Sequence, residues 1–72
     1  MNISKRIAFL RKEQGMTQER LAERCNLTVS AIQNYESGRR KPSFDALIVL
    51  ADTFNVSLDY LVGRYENDKT RF

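Results

Sequence analysis

The sequence predicts an all-α fold: a compact bundle of five short helices in a single domain. Three observations point there. Apolar residues recur at spacings of three and four, no alternating β-branched run reaches a useful length, and Asn, Ser or Thr stands ahead of each periodic stretch. Seventy-two residues leave room for one small core, which buries only about 60% of the extended chain's surface. The lone Cys25 cannot form an internal bridge, so close helix packing must supply the stability.

The first helix is expected from Ile3 to Gln14, capped by Asn2, with Ile3, Ile7 and Leu10 on one stripe and Gly15 as the stop. Thr17 caps a second helix whose Leu21, Ala22 and Cys25 face inward. Asn26 ends it, because asparagine tolerates the left-handed conformation that a tight exit needs. Thr28 caps a third helix, ended by Gly38. Ser43, just after Pro42, caps a fourth in which Leu47, Leu50, Ala51 and Phe54 follow the i, i+3, i+4, i+7 pattern. Ser57 caps a short last helix running to about Val62. Connections of two to five residues force these helices together as an orthogonal bundle. Residues 1–63 are therefore expected to form the domain, and 64–72 a tail that is polar apart from Tyr65 and Phe72.

Composition narrows the chemistry. There is no histidine, the usual general base and commonest transition-metal ligand, and one cysteine cannot build a thiolate cluster. Asp and Glu occur singly among basic or polar neighbours, as on solvated helix faces. The chain is expected not to be an enzyme and to need neither metal nor cofactor. No apolar run approaches the ~20 residues of a membrane span. The first residues carry Lys5, Arg6, Arg11 and Lys12 without a signal-peptide stretch. A soluble cytoplasmic protein with no membrane partner is expected, and the single cysteine agrees with a reducing compartment. The net charge of +3 is uneven. Residues 1–42 hold nine basic against four acidic side chains, while the remainder holds three against five. A basic front favours a polyanion on that side.

Steps of about 100° from Val29 put Val29, Gln33, Ser37, Ser30 and Asn34 on one continuous face of the third helix. Ala31, Tyr35 and Ile32 fall on the other side, toward the core. The outward stripe has no charge, in a chain with 29% charged residues. Ser, Asn and Gln both donate and accept hydrogen bonds, and an isopropyl group can touch a thymine methyl, which is the chemistry of base edges in a major groove. The same residues are also common on plain surfaces, so the stripe alone supports either reading. Arg39, Arg40 and Lys41 follow at once, held between Gly38 and Pro42, where three cations could meet backbone phosphates. Thr17 and Gln18 open the second helix, whose free N–H groups suit a phosphate oxygen, although Thr17 also reads as a simple cap.

The order of motifs carries a resemblance: T-Q-E-R-L-A-E-R, then N-L-T-V-S-A-I-Q-N-Y-E-S-G, then R-R-K-P-S, and finally V-S-L-D-Y-L. Together they resemble the Cro/C1-type helix-turn-helix family, the phage-repressor-like group often called XRE, from about Ile3 to Val62. The resemblance implies a lambda-repressor-like DNA-binding domain, with the motif over 17–37 and the third helix in the major groove of double-stranded DNA. Carried over residue by residue, Val29, Ser30, Gln33 and Asn34 fall where such proteins meet bases. Gln18, Thr28, Ser37, Arg39, Arg40 and Lys41 fall where they meet phosphates. Arg11 and Glu36 match a pair that commonly forms a structural salt bridge between the first and third helices. Asn26 departs from the more usual Gly, and Cys25 from a larger aliphatic residue. Cys25 reads as a small buried hydrophobe rather than a redox sensor.

On this resemblance the chain is expected to be a sequence-specific transcriptional regulator, a repressor acting on a palindromic operator. One small reading helix covers few base pairs, so a homodimer is implied; the resemblance and the amphipathic last helix make Val56, Leu58, Leu61 and Val62 its candidate seam, though some of these must also close the monomer core. These residues leave no room for a ligand-sensing domain, so regulation is expected from abundance, a partner or proteolysis. The alternative is a protein-interaction module, such as an antitoxin or switch subunit. Phe9 keeps that alternative open, because it projects opposite the apolar stripe. Either the tail covers it through Tyr65 or Phe72, or another protein does.

Overall fold

A computed structural model describes residues 2–64, which form five helices and, among the described residues, no strand. They are α1 (Ile3–Glu13), α2 (Gln18–Cys25), α3 (Val29–Ser37), α4 (Phe44–Phe54) and α5 (Leu58–Leu61). Each begins at a polar cap whose side chain accepts the backbone N–H three residues on: Asn2 from Lys5, Thr17 from Arg20, Thr28 from Ala31, Ser43 from Ala46 and Ser57 from Tyr60. Such a bond satisfies a helix-end donor that would otherwise be orphaned. The expected starts at Thr17, Thr28 and Ser57 are these caps, one residue outside the helices proper.

Every helix is followed by a residue with positive φ: Gly15, Asn26, Gly38, Asn55 and Gly63. After α1, α2, α4 and α5 the chain closes with an N–H that reaches back five residues, as in Leu27 to the Ala22 carbonyl at 2.9 Å and Val56 to the Ala51 carbonyl at 3.0 Å. This left-handed closure turns the chain sharply and satisfies carbonyls at the helix end.

The core takes Ile7 and Leu10 from α1, Leu21 and Ala22 from α2, Ile32 from α3 and Leu50, Ala51 and Phe54 from α4, with Met16 under the α1–α2 turn. Cys25 is buried there too and donates its thiol to Thr53 Oγ1 at 3.3 Å. Burial pushes its pKa above the ordinary thiol value, so the reactive thiolate is disfavoured at neutral pH.

Val56 and Leu61 are the seam candidates that close the monomer core, which takes them out of contact with any second chain. Of the four candidates only half-buried Leu58 and Val62, 37% exposed, reach the surface. One feature is not signalled by the sequence: Arg6, one of the four cations of the first helix, is 2% exposed, with its guanidinium 4.5 Å from the centre of the Tyr60 ring. At 60° from Ile3 on the α1 wheel its stem flanks the apolar stripe, and a desolvated cation over an aromatic face contributes about 1–2 kcal/mol. It fastens α5 to α1. Phe9 is 42% exposed, and Tyr65 and Phe72, its proposed cover, lie outside the described residues.

Arg11 flanks the other side of the α1 stripe. Its Nε donates to Glu36 Oε2 at 2.6 Å and its Nη2 to Glu36 Oε1 at 3.1 Å, while Nη1 donates to the Met16 carbonyl at 2.8 Å. The hydrogen bond to Glu36 raises the Arg11 pKa against the burial that opposes it, so the guanidinium stays charged. Side-chain exposures of 12% and 9% separate this pair from Arg20–Glu23, whose side chains are 60% and 71% exposed. Exposed pairs contribute a few tenths of a kcal/mol, whereas removing one partner of a buried pair strands the other. Arg11→Met should therefore cost about 3 kcal/mol in urea unfolding, and adding Glu36→Leu should recover most of it. Arg20→Met should change stability by less than about 0.5 kcal/mol. Equal costs for Arg11→Met and Arg20→Met would remove the distinction.

Candidate nucleic-acid interface

The interface begins at the turn between α2 and α3. Asn26, at φ 56°, ends one helix, and Thr28 caps the next two residues later. Both helices pack on each other, and α1 supports α3 from beneath. Ile32 is the buried anchor of α3, and Val29 and Tyr35 pack partly against the core.

That anchoring leaves the uncharged stripe outward. Ser30, Gln33 and Ser37 are exposed, and Asn34 is half-buried. Val29 divides its side chain between core and surface, so less of its isopropyl group is available than the helical wheel suggests. Four proposed base readers thus share one face, with Ser30 and Gln33 the freest.

At its far end α3 runs into the basic turn. The Asn34 carbonyl accepts both the Ser37 hydroxyl at 3.2 Å and the Arg40 N–H at 3.2 Å, and Ser37 Oγ accepts the Arg39 N–H at 3.3 Å. With Gly38 at φ 81°, these bonds fold the backbone onto the helix end. Arg39, Arg40 and Lys41 are all exposed, so three cations project from a held backbone rather than from a loose loop. An open cleft of about 420 Å³ lies beside this turn, lined in part by Ser4, Gly38, Lys41, Pro42 and Val62; no base reader lines it.

The proposed phosphate contacts divide into two groups. Thr28 accepts from the Ala31 N–H at 3.0 Å, which leaves its hydroxyl proton to donate, and it is exposed along with the three cations. Ser37 already uses its hydroxyl proton inside the turn. Gln18 Nε2 donates to Glu36 Oε1 at 3.1 Å, an interaction the sequence does not signal. Local periodicity carries no information about two side chains on different helices, and the relevant clue, a Gln at the start of one helix and a Glu at the end of the next, acquires meaning only from the packing.

Comparisons with known proteins agree with this geometry. Residues 7–61 match the helix-turn-helix family profile. The chain is 39% identical over 69 residues to the HTH-type transcriptional regulator ImmR of Bacillus subtilis (strain 168), covering 96% of this chain and 54% of that protein. It is 32% identical over 71 residues to the cryptic phage CTXphi transcriptional repressor RstR of Vibrio cholerae serotype O1, covering 99% and 63%. The chain thus spans only about half to three fifths of these relatives. Among solved structures, the P22 c2 repressor in complex with a synthetic operator superposes with a TM-score of 0.82 at 25% identity, over 88% of this chain and 96% of that one. The N-terminal DNA-binding domain of SinR from Bacillus subtilis gives 0.78 at 30% identity, over 82% and 87%. With its fold, its turn and most of its length in agreement, the chain belongs to the Cro/C1-type helix-turn-helix family.

Proposed function

We propose that this chain is the DNA-binding unit of a transcriptional repressor that acts as a homodimer on a two-fold symmetric operator in the cytoplasm. The observation that carries the reading is the uncharged outward face of α3 running directly into three exposed cations. Hydroxyl and amide groups suit base edges, and cations suit phosphates, so one element supplies both specificity and register. ImmR and RstR, named as regulator and repressor, support the regulatory role, and the P22 c2 complex supports DNA as the ligand. Among the described residues no helix is long and apolar enough to cross a membrane. Within this reading Val29, Ser30, Gln33 and Asn34 meet bases, and Thr28, Arg39, Arg40 and Lys41 meet phosphates. The exposed Val62, with half-buried Leu58 four residues before it, is what remains of the expected seam for a dimer.

A second reading rests on Phe9, whose large apolar ring is exposed on the side of α1 away from the core. It suits a protein partner and is compatible with DNA binding.

Selection of bound fragments from a random duplex pool should recover an inverted repeat with half-sites about one helical turn apart. Footprinting that shows no protected tract, with the protein folded, would end the DNA reading. On the recovered site, Ser30→Ala and Gln33→Ala should each cost roughly 1–3 kcal/mol and change binding to random duplex little. Arg39→Ala and Lys41→Ala should weaken both duplexes alike and reduce the salt slope by about one for each phosphate no longer neutralised. For the second reading, Phe9→Ala should abolish co-purification of a stoichiometric protein while leaving DNA affinity unchanged. A variant that keeps that protein rules out Phe9 as its docking point.

A further inference from the structure

Gln18 is the first residue of α2, next to the capping Thr17. The family resemblance places it at a phosphate, but its side chain is turned to the protein. Its Nε2 donates to Glu36 Oε1 at 3.1 Å, the same oxygen that accepts Arg11 Nη2 at 3.1 Å. A carboxylate only accepts, so Glu36 decides which end of the Gln18 carboxamide faces inward: the NH₂ group. Glu36 is in turn held by a permanently charged guanidinium whose remaining anchor is the Met16 carbonyl. One carboxylate therefore ties the start of α2 and the last turn of α1 to the end of α3.

We propose that Gln18 is a positioning residue for sequence recognition: acting through Glu36, it sets the rotation of α3 and so the alignment of Ser30 and Gln33 with base edges. This rests on the DNA-binding reading of α3 given above. The buried anchor of α3 is Ile32, near its middle. Val29 and Tyr35 add only partial packing on either side of it, and the attachment at Glu36 fixes the end of the helix against roll or tilt. Arg11 supplies this attachment from α1, and Gln18 supplies it from α2, the other half of the reading motif. A phosphate ligand and a positioning residue leave different signatures. Removing a phosphate ligand weakens every duplex alike, whereas a slightly rotated reading helix loses its preferred site and retains general affinity. Because glutamine is uncharged, neither role alters the salt slope.

The test uses the full chain with Gln18→Met, which keeps length and shape but has no N–H to donate. Affinity is measured on the selected operator and on a scrambled duplex of the same length, well below the thermal midpoint of each variant. Operator affinity should fall about ten-fold while scrambled affinity changes less than about two-fold, so discrimination collapses. In the ¹⁵N-labelled free protein, Glu36→Gln should move the Gln18 carboxamide resonances, because it replaces an obligate acceptor with a group that can also donate. Equal losses on both duplexes would make Gln18 a phosphate ligand, and no loss on either would make it a bystander. Carboxamide resonances insensitive to Glu36→Gln would show that the bridge is absent. Each of these overturns the proposal and leaves the DNA reading intact, provided Arg39→Ala weakens both duplexes in the same assay. A wild-type chain that binds neither duplex overturns the DNA reading, and this proposal with it.

Discussion

The ion pair between Arg11 and Glu36 is the interaction on which the presentation of α3 depends. The nine-residue α3 has one fully buried side chain, Ile32, with Val29 and Tyr35 packed only in part, so its far end is held chiefly by polar contacts. Full burial of Ile32 is worth roughly 1.5–3 kcal/mol, whereas the nearly buried pair adds little net stability and costs about 3 kcal/mol only when one partner is removed, so what it contributes is position. The two act at different places. Ile32 holds the middle of the helix against the core, and Glu36 holds its end against α1 and, through Gln18, against α2. Between them they leave Ser30 and Gln33 exposed on an opposite face that carries no charge.

The basic turn is built on the same principle of restraint. Its cations are long and exposed, but their backbone is closed onto α3 through the Asn34 carbonyl and the Gly38 conformation. A cation on a held backbone loses less freedom on meeting a phosphate than one on a loose loop, and association costs include that ordering. The acidic residues Asp45, Asp52 and Asp59 sit on α4 and α5, elements that do not contribute to the reading face. Charge and position are thereby matched, and on the proposed DNA-binding reading this separation would orient the approach of a polyanion before any contact forms.

On the other flank of the α1 stripe Arg6 plays a part parallel to that of Arg11. Both flank the apolar stripe of α1, one on each side, and both bury a cation to attach another helix. Arg11 finds a carboxylate on α3, whereas Arg6 finds the face of Tyr60 on α5. The attachment of α5 through Tyr60 and Leu61 consumes residues that a helical pattern alone would offer to a dimer partner. A helix of four residues cannot bury its apolar side twice, and the monomer core takes precedence.

The helices and their ends were legible in the sequence, because caps such as Asn2, Thr17 and Ser43 and stops such as Asn26 and Gly38 act through local backbone chemistry. The outward stripe of α3 was legible for the same reason, since helical periodicity separates Ser30 and Gln33 from Ile32. Apart from the Arg11–Glu36 pair, which the family resemblance implied, what the residues contact across helices was decided only by tertiary packing. Nothing local reveals that Arg6 meets Tyr60, that Gln18 meets Glu36, which seam candidates close the core, or that Val29 divides its side chain between core and solvent. Periodicity reports the direction in which a side chain leaves its own helix, and the identity of the group that meets it depends on where the chain returns.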